Sequence, residues 1–357
     1  MMKRRSAPLL LTLAALVSGC DSVIPESLVS GLAPLGGVQW GQYAPRFADF
    51  DGDGVLDVFG WVNEWNGQLN PRIAGYDGRT GERLWITPTL GGLGEAHYAR
   101  MGLVGGYLIV ADSGGTARAF RPGEDAVVWS VGLGERADAI CSGGPGQVIV
   151  RTVDERATVI DLTNGDARPT AAPTDCRLDE YVQARFRPDF MTIKAKDGEA
   201  LRALSAEDER FREVAPDLSK RAVIDVSREL QVLVGTKRGG TPVPMVAVVR
   251  GGRLAWSSVA PAEDPLRAGY LVPVRAAADE RGVFVGYERG SEQRIAAFAM
   301  ADGRRLWDVA VPQMPEGSSS IDALGVTPER LYVAHRTYLS ALDRETGEAL
   351  HTIGQRR

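Results

Sequence analysis

The sequence predicts an all-β chain folded as a β-propeller of seven four-stranded blades, with eight blades as the alternative. Three observations carry that reading. Short β-branched or aromatic runs recur along the chain, a tight Asp/Gly turn followed by a large ring closes each copy, and the copies lie roughly 40–50 residues apart, the length of one blade.

The runs are "YLIVA" (107–111), "QVIVR" (147–151), "QVLVG" (231–235), "VFVGY" (283–287) and "LYVAH" (331–335). Their period-two alternation and closely spaced turn signals argue for strands rather than helices. A second strand follows, such as "RIAAFAM" or "YLSALD", and then the turn and the ring-bearing strand. That last unit reads "YDGRTGERLW" (76–85), "FRPGEDAVVWSV" (120–131), "VVRGGRLAWSSV" (248–259), "AMADGRRLWDV" (299–309) and "LDRETGEALHTI" (342–353), with a degraded copy in "DLTNGDARPT" (161–170). The ring positions are Trp85, Trp129, Pro169, Trp256, Trp307 and His351. The interval from Pro169 to Trp256 is double, which predicts a hidden copy near Phe211 and brings the count to seven. A second register agrees, since residues 92–120 align with 132–160.

One four-stranded blade cannot cover both of its own faces, whereas radial stacking buries them against neighbours. The ring then fills the gap between adjacent sheets, and the Gly supplies the positive φ that turns the chain into its last strand. An N-terminal strand near residues 38–44 offers a way to close the ring through a mixed blade. The charged stretch 205–221 is the least blade-like part, and its composition fits a solvated outer strand, an inserted loop or a short helix.

Residues 1–19 carry Lys3, Arg4 and Arg5, an apolar run from Leu9 to Val17, and small residues before Cys20. That order is a secretory signal, and the run is too short for a permanent membrane span, which needs about 20 residues. Val17-Ser18-Gly19-Cys20 resembles the lipobox of bacterial lipoproteins. The resemblance implies cleavage before Cys20, a lipid on its sulfur, a tether over 20–37, a propeller over 38–357, and a body anchored in the bacterial cell envelope facing the periplasm. Asp21 resembles an inner-membrane retention signal, but inner against outer membrane stays open. The net charge of −5 and the lack of a basic run beyond the signal argue against nucleic acid.

"DFDGDGVLDV" (49–58) sets Asp49, Asp51, Asp53 and Asp57 at relative positions 1, 3, 5 and 9, with the Val55 carbonyl at 7 and Gly54 at the sharp turn. Calcium takes six to eight oxygens in flexible geometry, which such a loop can supply. The competing reading is a solvated turn, for which Asp and Gly are common choices. Position 12 is Gly60, not the Glu of an EF-hand. The pattern resembles the calcium loop of integrin-type propeller repeats, which implies Asp49, Asp51, Asp53, Val55 and Asp57 as ligands of a structural calcium at the start of the first blade.

The spacing Asp77…Thr80-Gly81…Trp85, repeated as Asp343…Thr346-Gly347…His351, resembles the repeat of quinoprotein-like β-propellers. That family holds pyrroloquinoline quinone dehydrogenases and also the non-enzymatic lipoprotein of the outer-membrane barrel-assembly machinery. The chain has no adjacent cysteine pair, so the quinone cofactor is not expected. Beyond Cys20 the cysteines are Cys141 and Cys176, and an even count in an oxidising compartment points to a disulfide between them, against two buried thiols. His97, His335 and His351 show no zincin spacing, no nucleophile elbow is present, and Asp138, Asp225 and Asp322 near blade starts form no constellation.

The leading expectation is therefore a non-enzymatic, membrane-anchored scaffold with an envelope protein partner, contacted through loops such as 65–72, 235–244 and 287–294. The alternatives are a calcium-dependent module for carbohydrate or another small ligand, and a propeller enzyme, either dehydrogenase-like or a hydrolase or lyase.

Overall fold

The computed structural model describes residues 38–40, 45–65, 69–90, 100–124, 126–171, 213–227, 229–239, 243–260, 275–289, 292–311, 321–335 and 338–354. They form six antiparallel sheets in chain order. The first sheet holds β1 (Val38–Trp40), β2 (Arg46–Ala48), β3 (Asp57–Trp65), β4 (Leu69–Tyr76) and β5 (Arg83–Ile86). The second holds β6 (Arg100–Val104), β7 (Tyr107–Ala111), β8 (Thr116–Phe120) and β9 (Val127–Gly132), and the third β10 (Ala137–Gly144), β11 (Gln147–Thr152), β12 (Ala157–Asp161) and β13 (Ala167–Thr170). The fourth holds β14 (Leu218–Asp225), β15 (Leu230–Lys237), β16 (Pro244–Arg250) and β17 (Arg253–Val259). The fifth holds β18 (Arg275–Ala278), β19 (Gly282–Arg289), β20 (Glu292–Ala299) and β21 (Arg305–Ala310), and the sixth β22 (Ala323–Val326), β23 (Arg330–Ala334), β24 (Leu339–Asp343) and β25 (Ala349–Ile353).

The second to sixth sheets are up-and-down meanders in sequence order, and the first strands of neighbours lie together, β6 against β10 and β18 against β22. First strands therefore line the axis and fourth strands form the rim, as expected for a propeller. In the first sheet the inner position is shared: β1 pairs Val62 to Glu64 and β2 pairs Asp57 to Phe59, both on β3.

The apolar clusters show how the sheets stack. The first packs on the second through Phe59, Ile73, Met101 and Val110, and the second on the third through Ile109, Ala119, Ile140 and Val150. The fourth packs on the fifth through Val232, Val246, Val285 and Phe298, and the fifth on the sixth through Phe284, Ile295, Leu331 and Val333. The sixth returns to the first through Tyr332, Leu339, Trp40 and Val58. The first and last described sheets thus meet by side-chain packing. Residues 38–40 do form a strand, but it joins the first sheet, and all four strands of the last sheet come from its own repeat, so the described strands form no mixed blade.

Two apolar faces have no described sheet against them. One is on the third sheet, with Cys141, Ile149 and Val159, and the other is on the fourth, with Leu218, Leu233, Met245 and Ala247. The expected copy around Phe211 lies outside the described residues, as do residues 1–37, Cys20, Asp21, His97 and Cys176. Val214 and Ala215, within the stretch whose structure the sequence left open, pack under the fourth sheet.

The repeat motif acquires a geometry. In five sheets the last strand carries a register shift just before the ring position, as between Gly75 and Tyr76 opposite Trp85 and Arg83, with counterparts before Trp129, Trp256, Trp307 and His351. A bulge of one residue bends the strand and re-aims the side chain that follows. The third sheet, with Pro169 in the ring position, pairs without a shift.

Those re-aimed rings cross to the next sheet. Trp129 donates Nε1–H to the Leu162 carbonyl at 2.9 Å, Trp256 to Met300 at 2.9 Å and Trp307 to Arg344 at 2.9 Å. Three residues beyond each acceptor stands a glycine under the ring. A Cβ at Gly165 would lie 2.7 Å from Trp129, at Gly303 2.6 Å from Trp256 and at Gly347 2.9 Å from Trp307. These glycines also have φ of 78°, 73° and 76°, a region closed to most L-residues. His351 makes the same step across the ring closure, with its ring 2.5 Å from where a Cβ at Gly81 would be.

Candidate metal loop at the ring closure

The aspartate loop lies between β2 and β3, inside the first sheet. Gly52 and Gly54, with φ of 76° and 81°, reverse the chain twice. The reversal lets the Asp49 carboxylate accept from Gly52 N–H at 2.6 Å and Gly54 N–H at 3.1 Å. Asp51 accepts from the Asp53 amide at 3.1 Å. Asp57 is buried, 1% exposed, and takes Phe50 N–H at 2.8 Å and Gly78 N–H at 2.9 Å. Burial pushes the Asp57 carboxyl up, those two amides hold it down in part, and Asp51 and Asp77 add repulsion.

The result is a convergence of three carboxylates. Asp49, Asp51 and Asp57 each present an oxygen within 4.8 Å of the others, a spacing one cation could bridge. Each carboxylate oxygen has a second lone pair, so the amide bonds leave acceptor capacity for an ion. The residues therefore fit a calcium ion in donor type and convergence.

Asp53 is not in this group. Its carboxylate pairs with Arg79 Nε at 2.6 Å while one oxygen also accepts Val55 N–H at 2.7 Å. The expected ligand set thus divides, with three aspartates brought together and Asp53 turned toward the β4–β5 turn. No bond of the Val55 carbonyl is seen among the described residues.

The loop is fastened to two neighbours. Phe50 packs edge-on against Phe59 at 5.4 Å and Trp85 at 5.1 Å, and this explains why Trp85 departs from the other rings. It lies back over Gly75, where a Cβ would meet its ring at 2.3 Å, and its Nε1 is buried without a hydrogen-bond partner. In sequence, the position four residues before the ring is glycine in the other copies, as at Gly303 and Gly347, but Asp125 before Trp129, and Asp125 lies outside the described residues. A shallow cleft of about 150 Å³ remains, lined by Phe50, Asp51, Leu84, Trp85, Pro122 and Gly123.

On the other side the loop backs onto the 77–81 turn. Gly78 touches Leu56 so closely that a Cβ would lie 2.2 Å from its carbonyl oxygen. The same turn receives His351 on Gly81 and, at the Gly78 carbonyl, the Tyr332 hydroxyl at 3.4 Å. Asp57 therefore ties the acidic loop to the turn on which the last sheet closes against the first.

The remaining candidates have structural surroundings. Asp138 receives a bidentate pair from Arg151 at 2.9 and 3.0 Å. His335 is buried and stacks on Tyr338 at 4.1 Å. Cys141 is buried and disulfide-bonded, and Cys176 lies outside the described residues. The loops 65–72, 235–244 and 287–294 are the β3–β4, β15–β16 and β19–β20 hairpins, equivalent connections that share one face of the propeller. Sequence reasoning missed the Arg344 cluster, in which a buried guanidinium from the last sheet bonds Asp279 of the fifth through Nη1 at 2.5 Å and Nη2 at 2.6 Å.

Bulged rings handed from sheet to glycine seat define a quinoprotein-type repeat propeller. A family profile described as outer membrane protein assembly factor BamB matches residues 70–348, and the chain belongs to that family. A crystal structure of BamB from Moraxella catarrhalis is 14% identical, the match covering 88% of this chain and 76% of that one with a TM-score of 0.27. No curated protein matches the chain.

Proposed function

We propose that this chain is a non-enzymatic, membrane-anchored propeller that serves as a protein-interaction scaffold for outer-membrane assembly in the bacterial envelope. The observation that carries the reading is the family match over residues 70–348, whose description is an assembly factor. The fold supplies a rigid ring whose equivalent hairpins β3–β4, β15–β16 and β19–β20 gather on one face, where recognition loops belong. The anchor is Cys20, and its replacement by Ser should release the protein from the membrane fraction.

Two structural proposals complete the scaffold. The repeat copy near Phe211, outside the described residues, makes the blade count seven, and Cys141 pairs with Cys176. The apolar faces of the third and fourth sheets and the oxidised state of Cys141 support this reading. A calcium ion held by Asp49, Asp51 and Asp57 neutralises their mutual repulsion and stiffens the closing turn. Its role is structural.

The test of function places photo-crosslinking residues at Asn70, Lys237 and Glu292 in cells and scores outer-membrane barrel proteins after deletion of the gene. Crosslinks from these positions to a component of the outer-membrane assembly machinery, with depleted barrel proteins on deletion, are expected. Normal barrel levels and no such crosslink from any of the three would overturn the proposal.

A further inference from the structure

The hand-over of rings between sheets is broken at one interface. Trp129, Trp256, Trp307 and His351 each reach across to the next sheet, whereas Trp85 lies back over Gly75 of its own sheet with Phe50 edge-on against it at 5.1 Å. Both ends of the missing bond are left open. The Trp85 Nε1 is buried with no hydrogen-bond partner. On the second sheet the acceptor position of the repeat is Pro122, seven residues before the ring at Trp129, as Met300 stands before Trp307 and Arg344 before His351. No donor to the Pro122 carbonyl is found among the described residues.

Between the two sheets lies the cleft of about 150 Å³, with Pro122 and Gly123 on one side and Phe50, Leu84 and Trp85 on the other. A cavity of about that volume holds one benzene-sized ring. Its walls suit a ring, since two of them are aromatic and Leu84 is 38% exposed toward solvent. The rim is acidic. Asp51 lines the cleft, Asp49 lies beside it, and both are exposed with no cationic partner among the described residues.

We propose that this cleft is a docking site for one aromatic side chain of a partner protein, carried on a segment with basic residues beside it. The ring takes the place that a tryptophan of the preceding sheet fills at the other interfaces. An indole N–H or a phenol O–H would supply the donor that the Pro122 carbonyl lacks, and the basic neighbours would meet Asp49 and Asp51. The site lies at the rim between the first and second sheets, apart from the hairpin face, and its existence does not depend on the proposed assembly role.

The test titrates the full chain in lipid nanodiscs, with empty nanodiscs as control, using an end-blocked Lys-Trp-Lys peptide whose fluorinated indole is followed by fluorine NMR. Wild type should bind it saturably. Unlabelled Lys-Leu-Lys should not displace it, and Glu-Trp-Glu should bind at least about tenfold more weakly. Leu84→Asn, a change at an exposed wall, should weaken binding about three- to tenfold. Phe50→Ala frees Trp85 to take the seat itself and should abolish binding, and the Leu84 variant reads the same seat should Phe50→Ala fail to fold. No saturable binding by wild type, equal affinity for Lys-Leu-Lys or Glu-Trp-Glu, or unchanged affinity in Leu84→Asn would overturn the proposal. Self-association of the chain that the peptide reverses would seat a second copy there and overturn the choice of a partner protein.

Discussion

Trp307 belongs to the fifth sheet and Arg344 to the sixth, yet the indole nitrogen of one donates to the carbonyl of the other at 2.9 Å while Gly347 lies flat beneath the ring. This single hand-over explains three parts of the repeat. The bulge aims the ring, the glycine admits it, and the carbonyl three residues before the glycine satisfies its N–H. The cost of altering it should follow those parts separately. Gly347→Ala meets both a φ of 76° and a contact of 2.9 Å, so a loss of about 2–4 kcal/mol is expected. Trp307→Phe keeps most of the ring and leaves the Arg344 carbonyl unpaired, at about 1–2 kcal/mol. Urea unfolding with unchanged m-values would check both.

The same interface carries the Arg344 pair. Its guanidinium side chain is 3% exposed, bonds both oxygens of Asp279 and the Thr327 carbonyl at 3.0 Å, and lies 5.5 Å over the Phe284 ring. Arg344→Met should cost about 3 kcal/mol by stranding Asp279. The double variant with Asp279→Ala should cost less than the sum, and an additive result would remove the coupling. Burial alone would raise the Asp279 carboxyl, but bonds from Arg344 and the 281 and 282 amides bring it below the ordinary 3.8. Its contribution is therefore present above that pH and lost as pH falls through the lower folded value. An acid limb below about pH 4 that shrinks in the double variant is the expected signature.

His351 fills at the closing interface the place tryptophan fills elsewhere, and its Nε2 is buried with no hydrogen-bond partner. Burial, then Arg330, lowers its pKa below 6.5, with Asp77 opposing. The folded state binds the proton less readily than the unfolded chain, so stability is full above the unfolded pKa and falls as pH drops from 6.5 toward the folded value. His351→Phe should lack that component, and wild type should lose stability relative to it between about pH 7 and 5. Parallel curves would sink the idea. His351→Trp places an indole over Gly81 with the Gly78 carbonyl three residues earlier, as at the other seats, and should raise the melting temperature.

Much of this was legible in sequence because the repeat writes its parts locally. Ring, turn glycine and strand alternation all fall within about a dozen residues, so the sheets and their order could be read directly. What could not be read depends on residues far apart. The retreat of Trp85 follows from Phe50 packing edge-on against its ring. The loss of Asp53 from the acidic cluster follows from Arg79, brought alongside by the β4–β5 turn. Closure by packing, rather than by a shared strand, is decided where Phe47 of the first sheet meets Tyr332 of the last, their rings 5.3 Å apart, a contact no local pattern encodes.

The division within the aspartate loop leads to the sharpest expectation. If calcium binds through Asp49, Asp51 and Asp57, excess calcium should raise the melting temperature of the soluble body and chelator should reverse it. At about a hundred times Kd the gain is about 2.7 kcal/mol, several degrees for a domain of this kind. Asp49→Ala and Asp57→Asn should lose the response, and Asp57→Asn should also weaken the basal fold, because its carboxylate holds the Phe50 and Gly78 amides. Asp53→Ala should keep the response, since that side chain serves Arg79 at 2.6 Å. A response lost equally in Asp53→Ala would mean that the ion draws Asp53 away from Arg79 and uses four carboxylates. No response in wild type would reduce the loop to a turn, held by its own amides. Because Asp57 joins the loop to the turn that seats His351, calcium should also protect the amides of Gly78 and Gly81 in hydrogen exchange, an effect that a site confined to the exposed loop would not produce.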